Sequence, residues 1–91
     1  MLVTVEYFAQ AREAAGTSRE MLTLPEGCTL EALLRDLAST KPKLARFLLT
    51  EGGAISSSLA VAVNDRQVRV HENSVLREGD GVLIVPAVSG G

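Results

Sequence analysis

The sequence predicts an α+β fold, with one main helix packed on one face of a mixed sheet of about five strands. Three observations predict it. Segments rich in β-branched residues open and close the chain. Four leucines between them recur at helical spacing. The elements also run strand, strand, helix, strand, strand, strand, an order that layers a helix against a sheet instead of alternating the two.

Residues 2 to 9, "LVTVEYFA", form the first strand, with Val3, Val5 and Tyr7 on one face and Leu2, Thr4, Glu6 and Phe8 on the other. "QAREAAGT" is rich in helix formers and closed by Gly16, a short helical turn before a second strand at 19 to 24. Pro25 and Gly27 end that strand. Thr29 then caps the main helix, and Glu31 suits its positive end. Leu30, Leu33, Leu34 and Leu37 share one stripe. Pro42 pushes Lys41 out of helical geometry, so the helix ends near Thr40 and "PKLARFLL" starts a second, short helix on its proline.

"TEGGAISSS" reads as a loop. "LAVAVN" at 59 to 64 is a nearly continuous apolar run, expected as a strand buried on both faces at the centre of the sheet. "NDRQ" turns into a short strand around Val68 to Val70, "REGDG" is a second tight turn, and "VLIVPAV" is the last strand, its ladder broken by Pro86. The chain is expected to be a single domain over 1–91, with a flexible tail over 86–91.

Composition excludes several functions. Ninety-one residues with a net charge of −2 and 11 acidic against 9 basic groups carry no basic stripe for phosphates, so neither nucleic acid nor a membrane surface is an expected partner. Tyr7, Phe8 and Phe47 are too few for a base-stacking platform. Cys28 stands alone, which rules out an internal disulfide and a cysteine metal cluster, so no metal site is expected. The start "MLVTVEYF" lacks a basic leader and no apolar run nears the roughly 20 residues of a membrane span, so the expected location is cytoplasmic.

No catalytic constellation is evident. One histidine, one cysteine and no nucleophile elbow or phosphate-cradling loop leave nothing for a self-contained enzyme. His71 is expected to be exposed and without a special task. Cys28 is expected to pack, its place near a helix start lowering its thiol only modestly. Glu78 and Asp80 share one turn and are expected to be solvated. The face opposite the helix is more informative: the last strand is apolar on both sides and Phe8 adds an aromatic. Either the short helix and loop cover that face, or it is a docking patch for another protein.

The ending "PAVSGG" carries no charge after Asp80, and its six residues span at most roughly 20 Å. Glycine lacks a Cβ, so Gly90 and Gly91 can thread a narrow channel and present the carboxylate without obstruction. Turning a carboxylate into an electrophile needs ATP. This chain shows no nucleotide site, so a separate enzyme must bind the ATP.

"YFAQAREAAGT" at 7 to 17, "TLEALLRDL" at 29 to 37, "AVN" at 62 to 64 and "LREGDGVLIVPAVSGG" at 76 to 91 together resemble the small, sulfur-carrying subunits of molybdopterin synthase, a ubiquitin-like β-grasp family. The resemblance implies a chain that is not catalytic alone and binds no cofactor itself. Gly91 is expected to be adenylated by a ubiquitin-activating-type adenylyltransferase that uses ATP, to receive sulfur from a donor protein as a thiocarboxylate, and to deliver it to a pyranopterin precursor in the large synthase subunit. It implies that Gly90 belongs to the same tail, that Phe8 and Val85 are interface positions, and that Arg12 is the basic residue of an "A-x-x-R-E" turn. Pro86, Val88 and Ser89 complete the implied partner-binding set. Ala87 stands where a second proline is often found, and "PAVSGG" is also similar to carriers of cysteine biosynthesis. Thiamine-pathway carriers and protein-conjugating modifiers share the diglycine, so those alternatives stay open.

Overall fold

The computed structural model describes residues 1–72 and 74–86. Five strands form one mixed sheet: β1 (Leu2–Tyr7), β2 (Arg19–Thr23), β3 (Ala60–Val63), β4 (Arg66–Val68) and β5 (Gly81–Val85). Their spatial order is β2-β1-β5-β3-β4. β1 and β5 run parallel, with Tyr7 beside Ile84, and every other neighbouring pair is antiparallel. The helices are α1 (Gln10–Ala15), α2 (Leu30–Thr40) and α3 (Pro42–Leu48).

Local chemistry explains the helix ends. The Thr29 side chain accepts a hydrogen bond from the Ala32 N–H at 3.2 Å, satisfying one of the unpaired donors of the first turn of α2. Gly16 closes α1 at φ 80°, a left-handed conformation open to a residue without a Cβ. Pro42 starts α3, and Lys41 serves as the joint between α2 and α3.

The leucine stripe lands where its spacing predicts. Leu30, Leu33, Leu34 and Leu37 are buried with Val3, Val5 and Tyr7 of β1, Val61 of β3, and Val82 and Ile84 of β5. Leu44 and Leu48 of α3 and Ala11 of α1 join the same core, so all three helices lie on one side of the sheet.

Three strand expectations need correction. β5, not β3, is the central strand, because the parallel pairing with β1 inserts the last strand between β1 and β3. β3 is buried on one face only: Val61 is buried, while Ala60 and Ala62 are half-buried. β4 also begins earlier than its apolar residues suggest. Asn64 and Asp65 both have positive φ (51° and 67°), a two-residue hairpin turn whose twist matches the strands, so pairing resumes at Arg66. Val70 falls instead in a single 3-10 turn, Val70–Glu72.

Side chains also lock the turns. The Asn64 amide donates to Asp80 Oδ1 at 2.8 Å, the Gly81 N–H donates to Asn64 Oδ1, and the Arg77 N–H donates to Asp80 Oδ2. Glu78 Oε1 accepts from the Leu2 N–H at 3.0 Å. Glu78 is exposed, as expected, and Asp80 half-buried; both carboxylates also clasp the start of β5 to the β3–β4 hairpin and to β1.

Candidate functional site

The candidate site grows from the parallel pairing of β1 with β5. Parallel strands end at the same edge of the sheet, so the chain leaves β5 beside the end of β1. The Phe8 N–H donates to the Ile84 carbonyl at 3.0 Å, extending the ladder one step beyond the Tyr7 and Ile84 pair and setting Phe8 alongside Val85. Phe8 is 52% exposed, Val85 half-buried and Pro86 buried. Gly90, Gly91, Val88 and Ser89 lie outside the described residues.

Register defines what surrounds this pair. On the sheet face away from the helices, Val85 lies opposite Ala60 and Leu83 opposite Ala62, with Glu6 next to Leu83 on β1. The apolar strip thus runs from Phe8 across Val85 to Ala60, with Leu83 and Ala62 in the next row. Because α1, α2 and α3 all pack on the opposite face, this side is left half-open. Leu83 is expected from the sequence as an apolar residue on this face of the last strand, whereas Ala60 and Ala62 are not. Their alternation with buried neighbours was visible, but which strands adjoin β5 was not.

The turn after Phe8 is strained. Ala9 has φ 53° and ψ −126°, a conformation natural to glycine, and the Ala11 N–H closes the turn onto the Phe8 carbonyl at 3.1 Å. It carries the chain from β1 directly into α1. Arg12 is exposed on α1, and its carbonyl accepts the Gly16 N–H. Behind the site, the buried Tyr7 hydroxyl donates to Glu20 Oε2 at 2.8 Å, and Lys41 Nζ lies 3.1 Å from the same oxygen. Burial first, then the hydrogen bond and charge of Glu20, push the Tyr7 phenol up, so it stays a neutral donor.

The remaining candidates are placed outside this site. His71 is exposed, as expected. Cys28 is half-buried against the core, as expected, with Sγ donating to the Thr29 carbonyl at 3.5 Å. Its thiol moves opposite to the expected direction: burial pushes it up and Asp36 adds to the shift. Among the described residues, no cluster of three or more His, Cys, Asp or Glu side chains could hold a metal ion. No helix of the described residues is long and apolar enough to cross a membrane.

Residues 5–91 match the ThiS family. The chain is 32% identical over its whole length to a molybdopterin synthase sulfur carrier subunit of Chlamydomonas reinhardtii, covering 100% of both chains. It is 36% identical to a protein of the same description from Drosophila yakuba, over 98% of this chain and 90% of that one. Among solved structures it is similar to small archaeal modifier protein 1 of Methanosarcina acetivorans, with a TM-score of 0.84 and 30% identity over 99% and 96% of the two chains. A chain of the BexX/CysO complex of Amycolatopsis orientalis superimposes with a TM-score of 0.71 at 27% identity, over 98% and 99% of the two chains. The mixed sheet, the single long helix and these matches agree: the chain belongs to the ThiS family and has the ubiquitin-like β-grasp fold.

Proposed function

We propose that this protein is the sulfur carrier of a molybdopterin synthase, working in the cytoplasm as the non-catalytic small subunit of a two-component sulfurtransferase. The observation that carries the reading is the whole-length likeness to a relative of that description, with no end of either chain left over. The geometry supports it. The chain leaves β5 beside an exposed aromatic and a half-open apolar strip, so a protein seated on Phe8, Val85 and Leu83 would receive the diglycine directly.

The chemistry follows from the carboxylate. An adenylyltransferase of the ubiquitin-activating type uses ATP to turn the Gly91 carboxylate into an acyl adenylate. Sulfide-level sulfur supplied by a donor protein attacks the Gly91 carbonyl carbon, a C–S bond forms, the acyl C–O bond to phosphate breaks, and AMP leaves with the electron pair to give a thiocarboxylate. The large subunit holds the pyranopterin precursor that takes the sulfur. This chain binds no cofactor of its own: its residues present the terminus and dock. Pro86 is buried and stops the ladder where the chain leaves β5, and Arg12, an exposed cation on α1, is offered to a partner.

Intact mass after incubation with activating enzyme, ATP and a sulfur donor tests the reading. The expected result is the gain of one oxygen-to-sulfur exchange, followed by its loss when large subunit and precursor are added. A carrier that loads but never discharges to the large subunit would overturn the molybdopterin assignment. The likeness to small archaeal modifier protein 1 favours a second reading, in which the terminus is joined to amines of other proteins.

A further inference from the structure

The chain is poor in amines. Of its 9 basic side chains only Lys41 and Lys43 are lysines, the rest being arginines, which do not acylate readily because the guanidinium stays protonated. Two of its amines are occupied. Lys41 Nζ, on a side chain 25% exposed, lies 3.1 Å from Glu20 Oε2 and donates to the Ala15 carbonyl at 3.4 Å. The Met1 amino group is part-buried and donates to the Leu24 carbonyl at 2.6 Å. Lys43, in the first turn of α3, is exposed with no hydrogen bond or ion pair among the described residues.

From this disposition we infer that Lys43 is the acceptor at which the activated C-terminus of a second copy forms an isopeptide bond when no sulfur donor takes it. The inference rests on the proposed activation of Gly91 as an acyl adenylate. Lys43 sits in the helix layer, opposite the half-open sheet face, so a copy docked through Phe8 and Val85 still presents this amine. Beside it Gln10, Glu13, Ala14, Arg46 and Phe47 line a shallow depression between α1 and α3. Ala14 and Phe47 give that depression an apolar part suited to an incoming tail whose sequence, "PAVSGG", is uncharged up to its end. Arg46, whose guanidinium lies 5.0 Å from the centre of the Phe47 ring, adds a cation beside the amine.

The step balances without redox chemistry. The neutral Nζ of Lys43 attacks the Gly91 carbonyl carbon and a C–N bond forms. The acyl C–O bond to phosphate breaks, AMP leaves with the electron pair, and the amine proton passes to solvent. ATP, split to AMP and pyrophosphate on the activating enzyme, supplies the driving force. Sequestering the other amines confines this reaction to one position.

The test uses full-length protein with its activating enzyme and ATP but no sulfur donor. A covalent dimer is expected on a denaturing gel, with a branched Gly91–Lys43 peptide by mass spectrometry. The dimer is expected to be lost in Lys43→Arg and kept in Lys41→Arg, while ATP–pyrophosphate exchange is the same in both. Limiting acetylation with an active ester, which needs no enzyme, is expected to label Lys43 before Lys41 and Met1. Absence of pyrophosphate exchange refutes the activation of the terminus, and with it the linkage. Exchange without a dimer, a dimer joined at Lys41 or Met1, a cyclised monomer, or acetylation that spares Lys43 overturns the inference on Lys43 alone.

Discussion

The two faces of the sheet divide stability from recognition. Along β1, the residues toward the helices are closed off, with Val5 at 0% exposure. Their neighbours on the other face are not: Leu2 is 39% exposed, and Phe8, one residue past the strand, 52%. β5 repeats the pattern, with Val82 and Ile84 buried and Leu83 and Val85 half-buried. Burial of apolar area, at roughly 25 cal/mol per Å², is concentrated on the helix side. Residues of the open face can therefore change with little cost to the fold, which is what a surface kept for a partner requires.

Breaking that comparison at the terminus gives the largest effect. Deleting Gly91, or adding one residue after it, is expected to abolish sulfur loading by intact mass and leave the melting temperature unchanged. Unfolding of the truncated protein would make the ending part of the fold. On the open face, Phe8→Arg places an unpaired charge in a desolvated contact, where such charges cost several kcal/mol, and is expected to weaken large-subunit binding by orders of magnitude. Its circular dichroism should match the parent. Loading should fall less than product formation, because activation and delivery use overlapping but different contacts. Normal product formation by this variant would remove Phe8 from the docking surface.

The helix face should answer with stability instead. Leu34→Ala, at a fully buried position, is expected to cost about 2–5 kcal/mol in denaturant unfolding. A cost within error would mean that the two faces are not divided in this way. The Asn64–Asp80 clasp is intermediate: Asp80→Ala leaves two donors without their acceptor and is expected to cost about 1–2 kcal/mol. An unchanged unfolding midpoint would show that water replaces Asp80 at no cost.

What the sequence made legible follows the range of the interaction. The Thr29 cap, the leucine stripe and the joint at Pro42 depend on residues within one or two turns, and each is where the spacing puts it. Strand order depends on pairings between residues far apart. The apolar run of β3 looks central by composition, yet β5 takes the centre because it alone pairs parallel to β1. The turn at Asn64 and Asp65 was recognisable, but its two-residue length starts β4 at Arg66, before the valines that suggested the strand. Phe8 was legible as an aromatic on the face away from the main helix, but its exposure was not, because that depends on which face the short helix α3 covers. The strained Ala9 beside Phe8 was not legible, because alanine gives no signal of a glycine-like conformation. The pairing of Glu20 with Lys41 joins a strand to a helix joint, and no local pattern marks it.

The smallest expected effect concerns Cys28, which sits at the edge of the core and belongs to neither face. Burial and Asp36 hold its thiol above its ordinary value in the folded chain. The folded state therefore favours the protonated form. That contribution to stability is fully present below the thiol's unfolded pKa, and it fades as pH rises through the higher folded value. Unfolding midpoints should decline across that alkaline window, and Cys28→Ser should remove part of the decline, leaving the share that belongs to Tyr7, whose phenol is also raised. Alkylation by iodoacetamide supplies an independent measure: the native thiol should react more slowly than free cysteine near the ordinary thiol pKa, because less of it is thiolate. Sulfur loading of Cys28→Ser should equal that of the parent. Loss of loading, or a thiol that alkylates faster than free cysteine, would make Cys28 a sulfur relay and move it from the core's margin into the transfer chemistry.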